Sequence, residues 1–184
     1  MKSDKIILGI DPGTKITGYA LISVRSNKVD IIQYGVIKLD KYKDHHLRLK
    51  KIQDRIKEIV TEYMPDEMAI EAQFYGKNVQ AMLKLGRAQG VAIAACLEKD
   101  IPVVEYAPKK VKQSITGNGN ASKEQVAEMI IREMKIQTKE DFYLDSTDAI
   151  AVAMCHHYQK GINQRSSKSW AKFAEENKDR IKGS

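Results

Sequence analysis

The sequence predicts an α/β fold: a five-stranded mixed sheet, three antiparallel strands followed by parallel ones, with helices on both faces. Three observations carry this reading. Apolar runs separated by short polar connections recur over residues 5–39, the pattern of an antiparallel meander. After residue 45, segments of helical period alternate with short apolar strands, as in a layered domain. The last helical segment is apolar nearly all round, which fits a helix enclosed by its neighbours.

Lys5-Ile6-Ile7-Leu8-Gly9-Ile10 reads as a buried strand ended by Asp11-Pro12-Gly13; Ile16–Val24 and Val29–Leu39 are the second and third strands. Leu49, Ile52, Ile56, Ile59, Val60 and Tyr63 recur at helical spacing, and that helix stops before Pro65. Met68-Ala69-Ile70 is a short strand reaching Glu71, and a long helix follows from Asn78 to Glu98. Val103 and Val104 mark the fifth strand. Pro108 suits the first turn of a helix carrying Lys109, Lys110 and Lys112. After the Gly117–Asn120 loop, Ser122 with Gln125 is a capping-box signature opening the next helix. The final helix runs from Leu144 to about Tyr158.

The 184 residues suit one domain, expected over 1–160, followed by a basic polar tail over 161–184 that contains Trp170. The net charge of +7 points to a polyanionic partner. Seven basic and three acidic side chains beyond residue 159 supply more than half of it, so charge alone does not define the function. No apolar run approaches the roughly 20 residues that span a bilayer, and the N-terminus lacks a signal-like stretch. A cytoplasmic protein without membrane association is expected. Cys96 and Cys155 sit in apolar helical surroundings and read as buried thiols.

Acids stand where acids are unusual. Asp11 ends an apolar strand, Glu71 ends another, and Asp145 and Asp148 open the apolar final helix on one face. Taken singly, each has an ordinary reading: a turn residue, a solvated strand end, an N-cap and a first-turn acid. Strand ends of an α/β sheet open on one edge, however, where ligands bind. If these strands are neighbours and the last helix packs beside them, four carboxylates converge and repel unless cations join them. Oxygen ligands without His or Cys suit Mg²⁺ or Mn²⁺. Two such ions about 3.5–4 Å apart can assist hydrolysis of a phosphodiester.

Other residues have paired readings. The glycine-rich loop running into a capped helix presents backbone N–H groups to an anion. Lys123, in that helix's first turn, opposes the dipole unless a phosphate is near; otherwise it is a solvated lysine. Lys109, Lys110 and Lys112 form either a phosphate-binding or a merely solvated face. Phe74 and Tyr75 belong to the core or stack on unpaired bases. His45-His46 and His156-His157 read as structural, because adjacent helical residues point about 100° apart. Gly86 and Gly90 allow another helix to approach closely, within this chain or from a second copy.

Leu8-Gly9-Ile10-Asp11-Pro12-Gly13-Thr14 with Gly18, Ala69-Ile70-Glu71 with Phe74, Leu83–Gly90, Val111-Lys112-Gln113, Gly117-Asn118-Gly119 with Lys123, and Asp145-Ser146-Thr147-Asp148-Ala149 follow one another in the order seen in the RuvC family. The chain resembles those Holliday junction resolvases over about residues 5–158. The resemblance implies an RNase H-like fold and metal-binding acids at Asp11, Glu71, Asp145 and Asp148. It further implies a Mg²⁺-dependent homodimer making paired nicks in four-way junction DNA, working with the RuvA–RuvB complex. Lys112 and Lys123 match positions at the scissile phosphate, and Phe74 matches a base-stacking aromatic. Tyr75, Lys77, Asn78, Lys84, Arg87, Lys109, Lys110, Gly117 and Gly119 are further candidate DNA contacts. At the Asp145 position the family carries Asp or His, and the tail has no matched counterpart.

The competing readings are a nucleotide phosphotransferase, since Asp-x-Gly-Thr loops also occur in actin-like and sugar-kinase ATPases, a junction-binding module without catalysis, and a RuvC-like nuclease acting on another branched nucleic acid. The first needs two domains around a cleft, for which 184 residues are too few.

Overall fold

The computed structural model describes residues 4–26, 28–73, 78–137 and 144–159. The expected tail, with Trp170, and the candidates Phe74, Tyr75 and Lys77 lie outside the described residues.

Strands β1 (Lys5–Asp11), β2 (Ile16–Arg25) and β3 (Lys28–Lys38) form the meander; β4 (Glu67–Glu71) and β5 (Val103–Tyr106) complete the sheet. Its order is β3-β2-β1-β4-β5. The β1–β2 and β2–β3 pairs are antiparallel, and β1–β4 and β4–β5 are parallel. This is the predicted mixed sheet. The parallel crossovers are made by α1 (His45–Tyr63) and α2 (Val79–Leu97). The helices α3 (Pro108–Thr116), α4 (Lys123–Glu133) and α5 (residues 144–159) follow β5.

The period of two along each strand divides the core into two layers. Leu8, Ile10, Met68 and Ile70 pack with Ile52, Ile56, Ile59 and Val60 of α1 and Ala88, Ala92, Ala95 and Cys96 of α2. Ile7, Ala20, Ile22 and Ala69 face the other way, against α3, α4 and the run Ala149–Cys155 of α5. Each fully buried aliphatic side chain contributes about 1.5–3 kcal/mol. Cys96 and Cys155 are buried free thiols in opposite layers, as expected.

The helix ends follow from the sequence. Asp44 caps α1 by accepting from the backbone N–H of His46 and Leu47, and Asn78 caps α2 through Ala81. Pro108 opens α3, and Gly117 closes it at φ 75°, a left-handed position that costs glycine little. Ser122 and Gln125 complete the capping box of α4. Among the described residues no helix is long and apolar enough to cross a membrane.

His156 confirms its structural reading. It is fully buried, with Nδ1 2.8 Å from Tyr106 Oη and Nε2 2.5 Å from Glu67 Oε2. Lys5 Nζ reaches the same Glu67 oxygen at 2.6 Å. Burial pushes the Tyr106 hydroxyl up to about 12, so it keeps its proton. A protonated Tyr106 hydroxyl is able to donate to Nδ1, the arrangement that pairs with an Nε2 proton directed at the Glu67 carboxylate. The chain of contacts fastens α5 to β1, β4 and β5.

Candidate active site

Strand register brings the first two acids together. Ile10 pairs with Ile70 across the parallel β1–β4 ladder, so Asp11 and Glu71 each stand one step beyond it. By alternation Asp11 shares its face with Ile7 and Gly9, and Glu71 shares its face with Ala69. That is the face covered by α5. Two carboxylates therefore leave neighbouring strands at one edge, on one side.

Glycine brings in the other two. A Cβ on Gly9 would overlap the Ala149 carbonyl and meet Ala153 Cβ at 2.8 Å; one on Gly18 would overlap the Asp145 carbonyl. Gly18 is the cross-strand partner of Asp11. The first turn of α5, carrying Asp145 and Asp148, is thus pressed onto the strand pair that holds Asp11. Small residues on both sides permit this approach.

The electrostatics report the convergence. Asp11 has its pKa raised well above the ordinary carboxylate range, first by burial, then by the charges of Glu71, Asp148 and Asp145. Burial and Asp148 push Glu71 up to about 7. Lys123 Nζ donates to Asp148 Oδ2 at 2.8 Å and lowers the pKa of both Asp11 and Glu71. Burial lowers the pKa of Lys123 itself, but the bond to Asp148 and the charges of Asp148, Asp11 and Asp145 outweigh it and raise the value. The four acids and one ammonium form one interacting group.

The donor set fits a hard divalent cation: four carboxylates, incompletely compensated, with no sulfur or imidazole among them. Among the described residues, no three His, Cys, Asp or Glu side chains are already closed around a point as in an assembled metal site. Asp148 is turned to Lys123 instead.

Lys112 lies beside this group and acts on Glu71, while its Nζ donates to the Ala121 carbonyl at 2.7 Å. That bond holds α3 against the entry to α4. Gly117 is exposed, and Gly119 packs close to the Lys109 carbonyl, where a Cβ would come within 3.0 Å. Lys109 and Lys110 are exposed on α3. Lys84 and Arg87 are exposed on α2, across the sheet from α5. Asn78 Oδ1 is engaged in capping α2.

Sequence reasoning missed Arg48. Its Nη1 donates to the Thr14 carbonyl at 2.9 Å and its Nε to the Tyr42 carbonyl at 2.6 Å, pinning the turn just after Asp11. No local signal marks an arginine on an amphipathic helix for such a task. The roles of Gly9 and Gly18 as helix seats had a signal, two glycines inside apolar strands.

A sequence profile for "Crossover junction endodeoxyribonuclease RuvC" matches residues 7–156. The protein of that name from Cytophaga hutchinsonii is 56% identical over 179 residues, covering 97% of this chain and 89% of its own. The one from Christiangramia forsetii is 52% identical, covering 99% and 95%. The structure of Thermus thermophilus RuvC with a Holliday junction substrate is similar at TM-score 0.78 and 28% identity, over 86% of this chain and 96% of that one.

Proposed function

The chain belongs to the RuvC family of crossover junction endodeoxyribonucleases, and from that premise we propose that it resolves four-way DNA junctions by paired nicks at the Asp11–Glu71–Asp145–Asp148 cluster. The single observation that carries the site is the placement of Asp11 and Glu71 at the end of one parallel strand pair, with the first turn of α5 seated on Gly18 beside Asp11. The family's nucleases are metal-dependent. We assign Mg²⁺ as the ion, with Mn²⁺ able to replace it and two ions per site. The four acids would hold it.

Bound divalent ions supply charge neutralisation at the phosphate and an activated water. The chain's own residues do the rest. Asp11 and Glu71, fixed by paired strands, and Asp145 and Asp148, fixed by the seating of α5, set the ligand geometry without mobile loops. Lys123 offers an ammonium to the charge that develops on the phosphate. Lys112, braced by the Ala121 carbonyl, lends a second positive charge beside Glu71. Lys109, Lys110 and the N–H groups around Gly117 and Gly119 face the DNA backbone next to them. Asn78, Lys84 and Arg87 extend the contact along α2, and Phe74, Tyr75 and Lys77 are assigned to the junction centre from the family resemblance alone.

A homodimer fits α2. Val79, Leu83, Gly86, Gly90, Ala94 and Leu97 form an exposed stripe, and neither Gly86 nor Gly90 has anything within 4 Å of an added Cβ. The close approach these glycines permit is not used within the described fold. Action with the RuvA–RuvB complex in the cytoplasm completes the proposal, on the family resemblance. The test is cleavage of a synthetic four-way junction with Mg²⁺. Symmetric nicks are expected, and Asp11→Asn should bind without cutting. Equal cutting of linear duplex would refute junction selectivity.

A further inference from the structure

The position of Lys123 has a consequence for how the site is loaded. Its ammonium is bonded to Asp148, whose side chain is 13% exposed, while the lysine itself is 60% exposed. It opens α4 at the helix's positive end, where a cation is disfavoured unless anions oppose it. Asp148 meets it by direct bond, and the carboxyl groups of Asp11, Glu71 and Asp145 lie close by. The capping box fixes the backbone from which the lysine projects. Lys112, by contrast, donates a hydrogen bond to the Ala121 carbonyl and acts on Glu71 through its charge.

We propose that Lys123 is a built-in counter-ion: it holds Asp148 Oδ2 in the absence of DNA and competes with a divalent cation for that carboxylate. This rests on the nuclease reading above and adds a coupling to it. A DNA phosphate entering the site competes for the ammonium, draws it off Asp148 and frees the carboxylate. Junction binding therefore tightens metal binding, and by linkage metal tightens junction binding. The protein without DNA is a poor metal binder by construction, so metal loading waits for substrate.

The experiment is a calorimetric titration of the full chain with Mn²⁺ in the absence of DNA. Lys123→Ala and Lys123→Gln should bind Mn²⁺ about tenfold more tightly than wild type, the scale of one charge-assisted hydrogen bond discounted for exposure. Lys123→Arg, which keeps a cation at the same place, should stay near wild type. Unchanged or weaker Mn²⁺ binding by both neutral variants, with measurable binding by wild type, overturns the proposal and leaves the nuclease reading intact. Absence of Mn²⁺ binding in all forms, together with no junction cleavage, overturns both. Because Lys123 is mostly exposed, its truncation leaves the buried layers untouched, and matched melting curves confirm that.

Discussion

Asp11 and Glu71 stand side by side at the same level of two parallel strands, and the Glu71 charge makes Asp11 harder to ionise. Ionising the cluster therefore costs stability unless a cation offsets it.

A pH dependence follows for the metal-free protein. The Glu71 carboxyl, raised from 4.5 to about 7, favours the fold while protonated. That advantage is complete below about 4.5 and disappears as pH rises through 7, a change of about 3 kcal/mol. In EDTA, Glu71→Gln should therefore melt near wild type at pH 4.5 and roughly 5–10 °C higher at pH 8. Added Mg²⁺ should close the gap by stabilising wild type alone. Scanning calorimetry at the two pH values checks this, and a gap that shrinks with rising pH would contradict the sign.

The glycine seat predicts a different failure. Gly18→Ala places a methyl against the Asp145 carbonyl and should cost about 1–3 kcal/mol by overpacking. It should lower junction cleavage far more than it lowers stability, because the displaced turn carries two of the acids. Urea unfolding and single-turnover cleavage on one preparation separate the two effects. Parallel losses would mean that the seat supports the fold only.

Removing the His156 ring takes one partner from Glu67, which keeps Lys5, and one from the half-buried Tyr106. His156→Ala should destabilise by about 2–3 kcal/mol, measured by urea denaturation. Junction affinity at a temperature where the variant remains folded should be unaltered. A neutral result would show that the Lys5–Glu67–His156–Tyr106 chain is not what anchors α5.

Two exposed positions on α2 test the dimer. Leu83→Glu with Gly90→Glu introduces charge at a half-exposed leucine and at a glycine whose added Cβ would meet nothing within 4 Å. It should leave the melting temperature of the monomeric domain unchanged and convert a dimer to a monomer by sedimentation. A dimer that survives both charges places the seam elsewhere.

Much of the fold was legible in the sequence because the local signals agreed. The apolar runs of β1 and β2, Pro108, the Ser122–Gln125 box and the apolar run of α5 each specify their element without tertiary help. The acids were legible as oddities, each breaking an apolar pattern. Their meeting was not, because it depends on strand order and on a helix docking over glycines some 130 residues away in sequence. Arg48 and the His156 chain were opaque for the same reason: their partners are carbonyls and side chains on other elements, which leave no periodic trace.

On the proposed assignment of the four acids, the seating of α5 also dictates when the chain is able to cut DNA. Half of the cluster, Asp11 and Glu71, is translated early; the other half arrives only with the last described helix. Unfinished or clipped polypeptides ending before residue 144 carry two carboxylates and no means to complete the set. On that assignment, ribosomal products and proteolytic debris of this chain are expected to be inactive because of the order in which its pieces are made.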